Sequence, residues 1–228
     1  MSLLVVFGYG PGISHATAAR FGREGYSLAI VGRDAERLAV GLERLSGDGL
    51  EVKAYQSDAS DTDRIRRTVA EIQRDLGTVS AVLWTAFGGG GVTDVLTTRP
   101  EDVGRVLDVG VAGLLSCAQA LLDDLKATPG AAILVANGAF GENTSQMDAV
   151  SKLLNRDGVA LANAAKSKLV GLLAERLRDF DIYVGEVTIA GSVAGTATAG
   201  PNAIEPSTIA ETFWSLSQSR DITRVRLT

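Results

Sequence analysis

Seven residues near the start of the chain, Gly8-Tyr9-Gly10-Pro11-Gly12-Ile13-Ser14, have the types and spacing to hold a phosphate. The apolar run Leu3-Leu4-Val5-Val6-Phe7 leads into them, and Ala16-Thr17-Ala18-Ala19-Arg20-Phe21 starts a helix behind them. Glycines at positions 8, 10 and 12 let a pyrophosphate approach the backbone closely. The first helical turn, beginning around Ile13 and Ser14, offers unpaired N–H groups at the positive end of a helix dipole. The arrangement reads as a dinucleotide cradle; a tight strand–helix turn with no ligand is the plain alternative.

Two later segments extend that cradle. Val31-Gly32-Arg33 closes the second apolar run, where the adenosine ribose would lie. An acidic residue there would accept from the ribose 2′-OH and select NAD, whereas Arg33 would pair with a 2′-phosphate. Ser57-Asp58-Ala59 follows the third apolar run, and the Asp58 carboxylate could accept from an adenine amine. A solvated loop charge (Arg33) and a loop-capping carboxylate (Asp58) are the alternatives. His15, the single histidine, opens the helix behind the turn and reads as a phosphate-side or surface residue. Cys117, the single cysteine, sits among Leu114, Leu115, Ala118 and Leu121 and reads as core packing. One His and one Cys do not make a zinc set, and no carboxylates have ligand spacing, so no metal site is expected.

The elements that must position these residues alternate along the chain. Strands are expected at Leu3–Phe7, Ser27–Val31, Glu51–Gln56, Ala81–Thr85, Ala131–Val135, Tyr183–Ile189 and Thr223–Leu227. Helices are expected at Ser14–Glu24, Ala35–Leu45, Thr62–Leu76, Pro100–Lys126, Val159–Phe180 and Ser207–Ser219. Several strands are continuous apolar runs, as parallel strands covered on both faces require. Strand–helix alternation throughout predicts a doubly wound α/β domain over 1–228 with a parallel sheet of about seven strands. The glycine-rich stretches Gly88–Gly91 and Gly191–Pro201 follow strand ends, where ligands bind in such sheets.

The 228 residues are 46% hydrophobic, enough for one sizeable core, and carry a net charge of −5. No basic run or aromatic-interleaved basic stripe is present, so nucleic acid is not an expected partner. Leu3–Phe7 is too short for a signal core or a membrane span, and the lone cysteine fits a reducing compartment. A cytoplasmic protein without membrane association is the expectation.

On these residues the chain resembles the short-chain dehydrogenase/reductase family over essentially its full length. The family's Thr-Gly-x-x-x-Gly-x-Gly falls on Phe7 to Ser14: two glycines match, and Phe7 and Ser14 depart. The spacing of Gly8 and Ser14 is also similar to the glycine turn of the enoyl-reductase branch. The resemblance implies a Rossmann-type domain binding NADP(H) in preference to NAD(H). Arg33 then takes the NADP-selecting position, and Asp58, with Ala59 beside it, the adenine-contacting one. Trp84-Thr85-Ala86-Phe87 replaces the family's Asn-Asn-Ala-Gly and puts Ala86 against the cofactor. Ala190-Gly191 keeps Gly191 from the Pro-Gly turn that covers the nicotinamide.

The family transfers a proton through a Tyr, with a Lys four residues on that shares its helix face; a Ser and an Asn complete the set. Ala162-Asn163-Ala164-Ala165-Lys166 is similar to that helix: Lys166 matches and Ala162 stands where the Tyr would. None of Tyr9, Tyr26, Tyr55 or Tyr183 has a Lys four residues on, and the enoyl-reductase spacing leads to Val159. Gly138 takes the place of the Ser and Gly110 that of the Asn. Two catalytic candidates remain. Lys166 is a ribose ligand, or an acid if burial depresses its pKa; Asn137 could donate to a carbonyl, or cap a loop. Glu142, Asn143, Ser145, Asp148 and Ser151 fall in a stretch that reads as a surface excursion.

What the resemblance implies is an NADP(H)-dependent oxidoreductase for a small-molecule carbonyl or alcohol, its proton coming from water, Lys166 or the substrate. The alternative is a non-catalytic NADP(H)-binding sensor or partner subunit. A homo-oligomer, dimer or tetramer, is implied through Pro100–Lys126 and Val159–Phe180. The Gly191–Pro201 loop corresponds to the family's substrate lid, and its small apolar residues suit an uncharged substrate.

Overall fold

The computed structural model describes residues 2–196 and 199–228; Ala197 and Thr198 of the expected lid loop lie outside the described residues. The strands β1 (Leu3–Phe7), β2 (Ser27–Gly32), β3 (Val52–Gln56), β4 (Ala81–Trp84), β5 (Ala132–Gly138), β6 (Tyr183–Ile189) and β7 (Arg224–Leu227) form one sheet. Their order is β3-β2-β1-β4-β5-β6-β7 and every pairing is parallel. This is a doubly wound, Rossmann-like fold. The order reverses between β1 and β4, which opens the crevice where such sheets bind ligands.

The apolar runs explain the layering. Leu3, Val5 and Phe7 of β1 join one core cluster, whereas Leu4 and Val6 join a second on the opposite face. The first face is covered by α3 (Thr62–Leu76), α5 (Leu114–Ala120) and α8 (Asp157–Leu177), the second by α1 (Ile13–Arg23), α2 (Ala35–Gly47) and α9 (Pro206–Ser219). A central strand so enclosed cannot alternate with polar residues. Cys117 is fully buried in the first cluster, as expected, and burial pushes its thiol pKa upward.

Three expectations are corrected. Pro100–Lys126 is not one helix. It runs as α4 (Pro100–Val103), a 3₁₀ turn Gly104–Val106, a π-helical segment Asp108–Gly113, α5 and α6 (Leu122–Ala127). The π segment sits where glycines allow close approach: a Cβ on Gly113 would lie 2.1 Å from the Ala59 carbonyl oxygen. Pro100–Ala120 is apolar enough by composition to cross a membrane (mean hydropathy 1.3), but here Leu114 and Cys117 from this stretch are core residues. Second, the surface excursion leaves Asn143, Ser145 and Asp148 exposed as expected but buries Ser151, on a helix α7 (Ser145–Leu154) capped by the Thr144 hydroxyl accepting from Met147 N–H. Third, β5 continues to Gly138, so Asn137 lies within a strand and is no loop cap.

Candidate functional site

The turn after β1 is built from its glycines. Gly8 has φ +85°, and a Cβ there would lie 2.3 Å from the Ala86 amide nitrogen. Only glycine lets β1 and the end of β4 close against each other at this point. Gly8 and Tyr9 N–H both donate to the Val31 carbonyl at 2.9 Å, and the Thr85 hydroxyl donates to the carbonyls of Phe7 and Gly8 at 3.0 and 3.1 Å. Ala86 is thereby fixed against the turn. Gly10 differs: a Cβ there would meet nothing within 4 Å, and the same holds at Gly12. The space beside these two glycines is open to an approaching molecule.

The start of α1 is open in the same sense. α2 and α3 are capped by Asp34 and Asp61, whose carboxylates accept from Arg37 and Arg64 N–H at 3.0 and 2.9 Å. α1 begins at Gly12, which has no side chain to do this. Among the described residues, no acceptor meets the N–H groups of Gly12, Ile13 or Ser14. The Ser14 hydroxyl folds back onto Gly10, accepting from its N–H at 2.8 Å and donating to its carbonyl at 3.0 Å, which holds the turn in shape. Orphan amides at a helix start with clear space before them suit an anion.

Arg33 and Asp58 flank the adjoining strand ends. Gln56 binds the Arg33 carbonyl through its side chain at 2.9 Å, while the exposed guanidinium makes no ion pair among the described residues. Burial works against ionised Asp58, but two hydrogen bonds from Ser60 and the charge of Arg33 hold its pKa below the usual carboxylate value. Oδ1 takes both Ser60 bonds, from N–H at 2.9 Å and from the hydroxyl at 2.8 Å. Next to Asp58, the Ser57 hydroxyl is buried and has no partner. An orphan hydroxyl in this position, with open glycines and uncapped amides across the sheet end, fits a dinucleotide. Sequence reasoning passed over Ser57 because its hydroxyl carries no motif.

The opposite side of the crevice centres on Lys166 of α8, only 4% exposed. No hydrogen bond or ion pair holds its ammonium among the described residues. Burial lowers its pKa from the usual 10.5 to about 8, with the charge of Glu186 opposing. A Cβ on Gly110 would lie 3.4 Å from Lys166 Cδ, so the π-helical segment packs along the lysine stem.

Asn137 sits elsewhere than expected. Its amide nitrogen donates to the Asn163 carbonyl at 3.0 Å and to Glu186 Oε1 at 2.6 Å, and its own oxygen accepts from Gly138 N–H at 3.0 Å. Its side chain is engaged within the scaffold. Fully buried Glu186 also accepts from Ser167 and Arg224, each at 3.0 Å. The amide facing Gly138 belongs instead to Asn163: its Nδ2 would lie 2.7 Å from a Cβ on Gly138. Asn163 was missed because it precedes Lys166 by three residues and matches no expected position.

The structure brings Gly8, Gly10, Gly12, Ile13, Ser14 and Ala86 together at the β1–β4 switch point, with Arg33, Asp58 and Ala59 on one side and Lys166 on the other. Gly191 follows β6 and packs against Ile204, whose Cδ1 would lie 3.6 Å from a Cβ there. Among the described residues no group of His, Cys, Asp and Glu could hold a metal ion.

A sequence profile described as short chain dehydrogenase matches residues 2–150. The 3-oxoacyl-acyl-carrier-protein reductase of Bos taurus is 29% identical over 167 residues, which cover 73% of this chain and 64% of that relative. The chain thus matches less than two thirds of the relative's length. An alcohol dehydrogenase from the archaeon Thermococcus sibiricus, complexed with 5-hydroxy-NADP, superposes with a TM-score of 0.83 at 22% identity, covering 100% of this chain and 96% of that one. An NADPH-bound short chain oxidoreductase from Pseudomonas aeruginosa PAO1, described as containing an atypical catalytic center, gives a TM-score of 0.84 at 21% identity, covering 99% and 95%. At these identities the structural likeness concerns the fold.

Proposed function

This chain belongs to the short-chain dehydrogenase family, and we propose that it is an NADP(H)-dependent oxidoreductase whose proton-transfer set has been reduced to Lys166. Gly10, Gly12 and the amides of Ile13 and Ser14 would hold the pyrophosphate, Asp58 and Ala59 the adenine, and Arg33 the 2′-phosphate. Ala86, Gly191 and Lys166 would border the nicotinamide half. NADP-bound solved structures of the same fold, one described as having an atypical catalytic center, support that assignment. When bound, a reduced nicotinamide supplies hydride.

Lys166 carries the reading. A lysine kept at 4% exposure without a hydrogen-bonding partner costs stability, which implies a use for it in the crevice. Ala162 offers no phenol, so Lys166 Nζ is the group that holds a proton for a substrate oxygen. A pKa near 8 keeps it charged at neutral pH yet able to release that proton. The Asn163 amide, beside Gly138, would orient a carbonyl, and Asn137 acts through the Asn163 backbone as a positioning residue. The exposed leucines 161 and 172 of α8 suit pairing between two copies of the chain.

The test begins with calorimetric titration of NADPH and NADH into wild-type protein and Arg33→Ala. Tighter binding of NADPH, lost in the variant, is expected. NADPH oxidation is then followed with a panel of carbonyl substrates for wild type and Lys166→Met; turnover abolished by the substitution supports the proposal. Binding without turnover across the panel would replace the enzyme with a cofactor sensor, and no nucleotide binding would remove both.

A further inference from the structure

The edge strand β7 reaches across to the helix that carries Lys166. Its residues alternate between two faces. Val225 and Leu227 pack against the second core cluster, and Arg224 and Arg226 extend on the other side. Arg226 Nε donates to Glu142 Oε1 at 2.7 Å. Arg224 makes contacts of a different kind. Its Nε donates to Glu186 Oε2 at 3.0 Å, and its Nη2 donates to the main-chain carbonyl of Ser167 on α8 at 2.8 Å. The Ser167 hydroxyl donates to the same Glu186 oxygen at 3.0 Å. Ser167, directly after Lys166, is therefore held by its side chain and by its backbone.

The same carboxylate holds the other flank of the lysine. Glu186 Oε1 accepts from Asn137 Nδ2 at 2.6 Å, and that nitrogen also donates to the Asn163 carbonyl at 3.0 Å. The chain Asn137–Glu186–Arg224 thus grips the backbone of α8 three residues before Lys166 and one residue after it. The helix is shaped to receive the guanidinium. Gly171 lies one turn beyond Ser167 on the same face, and a Cβ there would lie 2.8 Å from Arg224 Nη2. Glycine inside a helix is unfavourable relative to alanine. Its presence within the 21 residues of α8 matches a need for this close approach. Arg224 also offsets the charge of Glu186, a fully buried carboxylate whose field reaches Lys166.

We propose that Arg224 is a positioning residue for Lys166: from the edge strand it fixes the turn of α8 that carries the lysine and offsets the carboxylate beside that turn. The consequence for catalysis rests on the function proposed above, since Lys166 must hold its proton where a substrate oxygen can take it. The charges around Lys166 are few. Glu186 acts on it from β6, and Arg224 acts through Glu186 from β7. β5 contributes the uncharged Asn137, and the π-helical segment contributes the uncharged Gly110 while its Asp108 is exposed.

The probe is acetic anhydride, applied across pH to full-length protein without nucleotide, with acetylation at each lysine read by peptide mass spectrometry. Lys53, Lys126 and Lys152 serve as internal controls. In Arg224→Gln, Glu186 keeps its Asn137 and Ser167 donors but loses its counter-charge, so the Lys166 midpoint should rise by about one pH unit. Gly171→Ala should produce the same rise by pushing the guanidinium off Ser167. It does so while favouring the helix, so a failure to fold does not stand in for the effect. The double variant should rise no further, because both changes break one contact. Arg226→Gln, which breaks the neighbouring pair with Glu142, should leave the Lys166 midpoint at its wild-type value. A merely structural Arg224 would lower the melting temperature and leave the midpoint in place. That result, additive rises in the double variant, or an equal rise in Arg226→Gln would overturn the proposal. NADPH calorimetry reads the cofactor site separately. A rise without NADPH binding would remove the proposed function and leave Arg224 as the residue that positions Lys166.

Discussion

Replacing Lys166 by methionine separates what the residue does for function from what it costs the fold. Methionine keeps the length of the stem along Gly110 and removes the ammonium. In the unfolded chain the lysine titrates near 10.5; in the fold, burial lowers this to about 8 against the pull of Glu186. Between those values the unfolded chain binds more protons than the folded one, so wild-type stability rises with pH through that window. Below pH 8 the full cost applies, about 3 kcal/mol for a shift of this size, and above 10.5 it vanishes. Lys166→Met should therefore be the more stable protein at pH 7, by up to about 3 kcal/mol, with the gap narrowing to about 1 kcal/mol near pH 9.5. Urea unfolding of both proteins at the two pH values measures this, and comparing them cancels every group that titrates alike in both. A methionine variant less stable than wild type at pH 7, or a gap that does not change with pH, would refute the claim that Lys166 is a destabilising buried charge that Glu186 only partly offsets.

Gly8→Ala must adopt φ +85° and place a Cβ 2.3 Å from the Ala86 amide nitrogen. The backbone contributes about 1–2 kcal/mol of this cost, and the overlap should bring the loss in urea unfolding to about 3 kcal/mol. Gly10→Ala points its Cβ into open space. Its stability should stay within about 1 kcal/mol of wild type, yet calorimetry should show NADPH binding weakened at least tenfold if the cofactor uses that space. Glu186→Gln removes the counter-charge 3.0 Å from the Arg224 guanidinium, whose side chain is 48% exposed. Water solvates the cation left behind, so a loss of only about 1 kcal/mol is expected in urea unfolding. The same change removes the charge that holds the Lys166 pKa up, so the pH dependence of amine acylation at Lys166 should move to lower pH.

The strands were legible because burial on both faces leaves an unbroken apolar signature: β1 and β6 fall where the sequence puts them, Leu3–Phe7 and Tyr183–Ile189. The tight turn after β1 was legible at Gly8, where close approach to Ala86 and φ +85° leave glycine as the permitted residue. The broken course of Pro100–Lys126 was hidden. Leu107, Val111, Leu114, Ala118 and Leu121 recur at helical spacing, and a π turn displaces that pattern only locally. α7 was hidden because the sequence around Glu142, Asn143 and Ser145 reads as polar loop, and its Thr144 cap went unweighed. Asn137 and Asn163 could not be told apart from sequence. Whether an amide faces a crevice or a buried carboxylate depends on a partner across the sheet, Glu186, whose burial has no local signal.

The small residues at 110, 138 and 162 are coupled through space to Lys166 and Asn163. The missing side chain at Gly110 lets the π segment lie 3.4 Å from the Lys166 stem and close it from water. The missing side chain at Gly138 gives the Asn163 amide its place, since a Cβ there would lie 2.7 Å from Asn163 Nδ2. Ala162 is buried next to that amide. A serine introduced at position 138 alone would displace Asn163, and a larger residue at 110 would press on Lys166. What stands here is a packed arrangement in which Gly110 makes room for the Lys166 stem and Gly138 for the Asn163 amide.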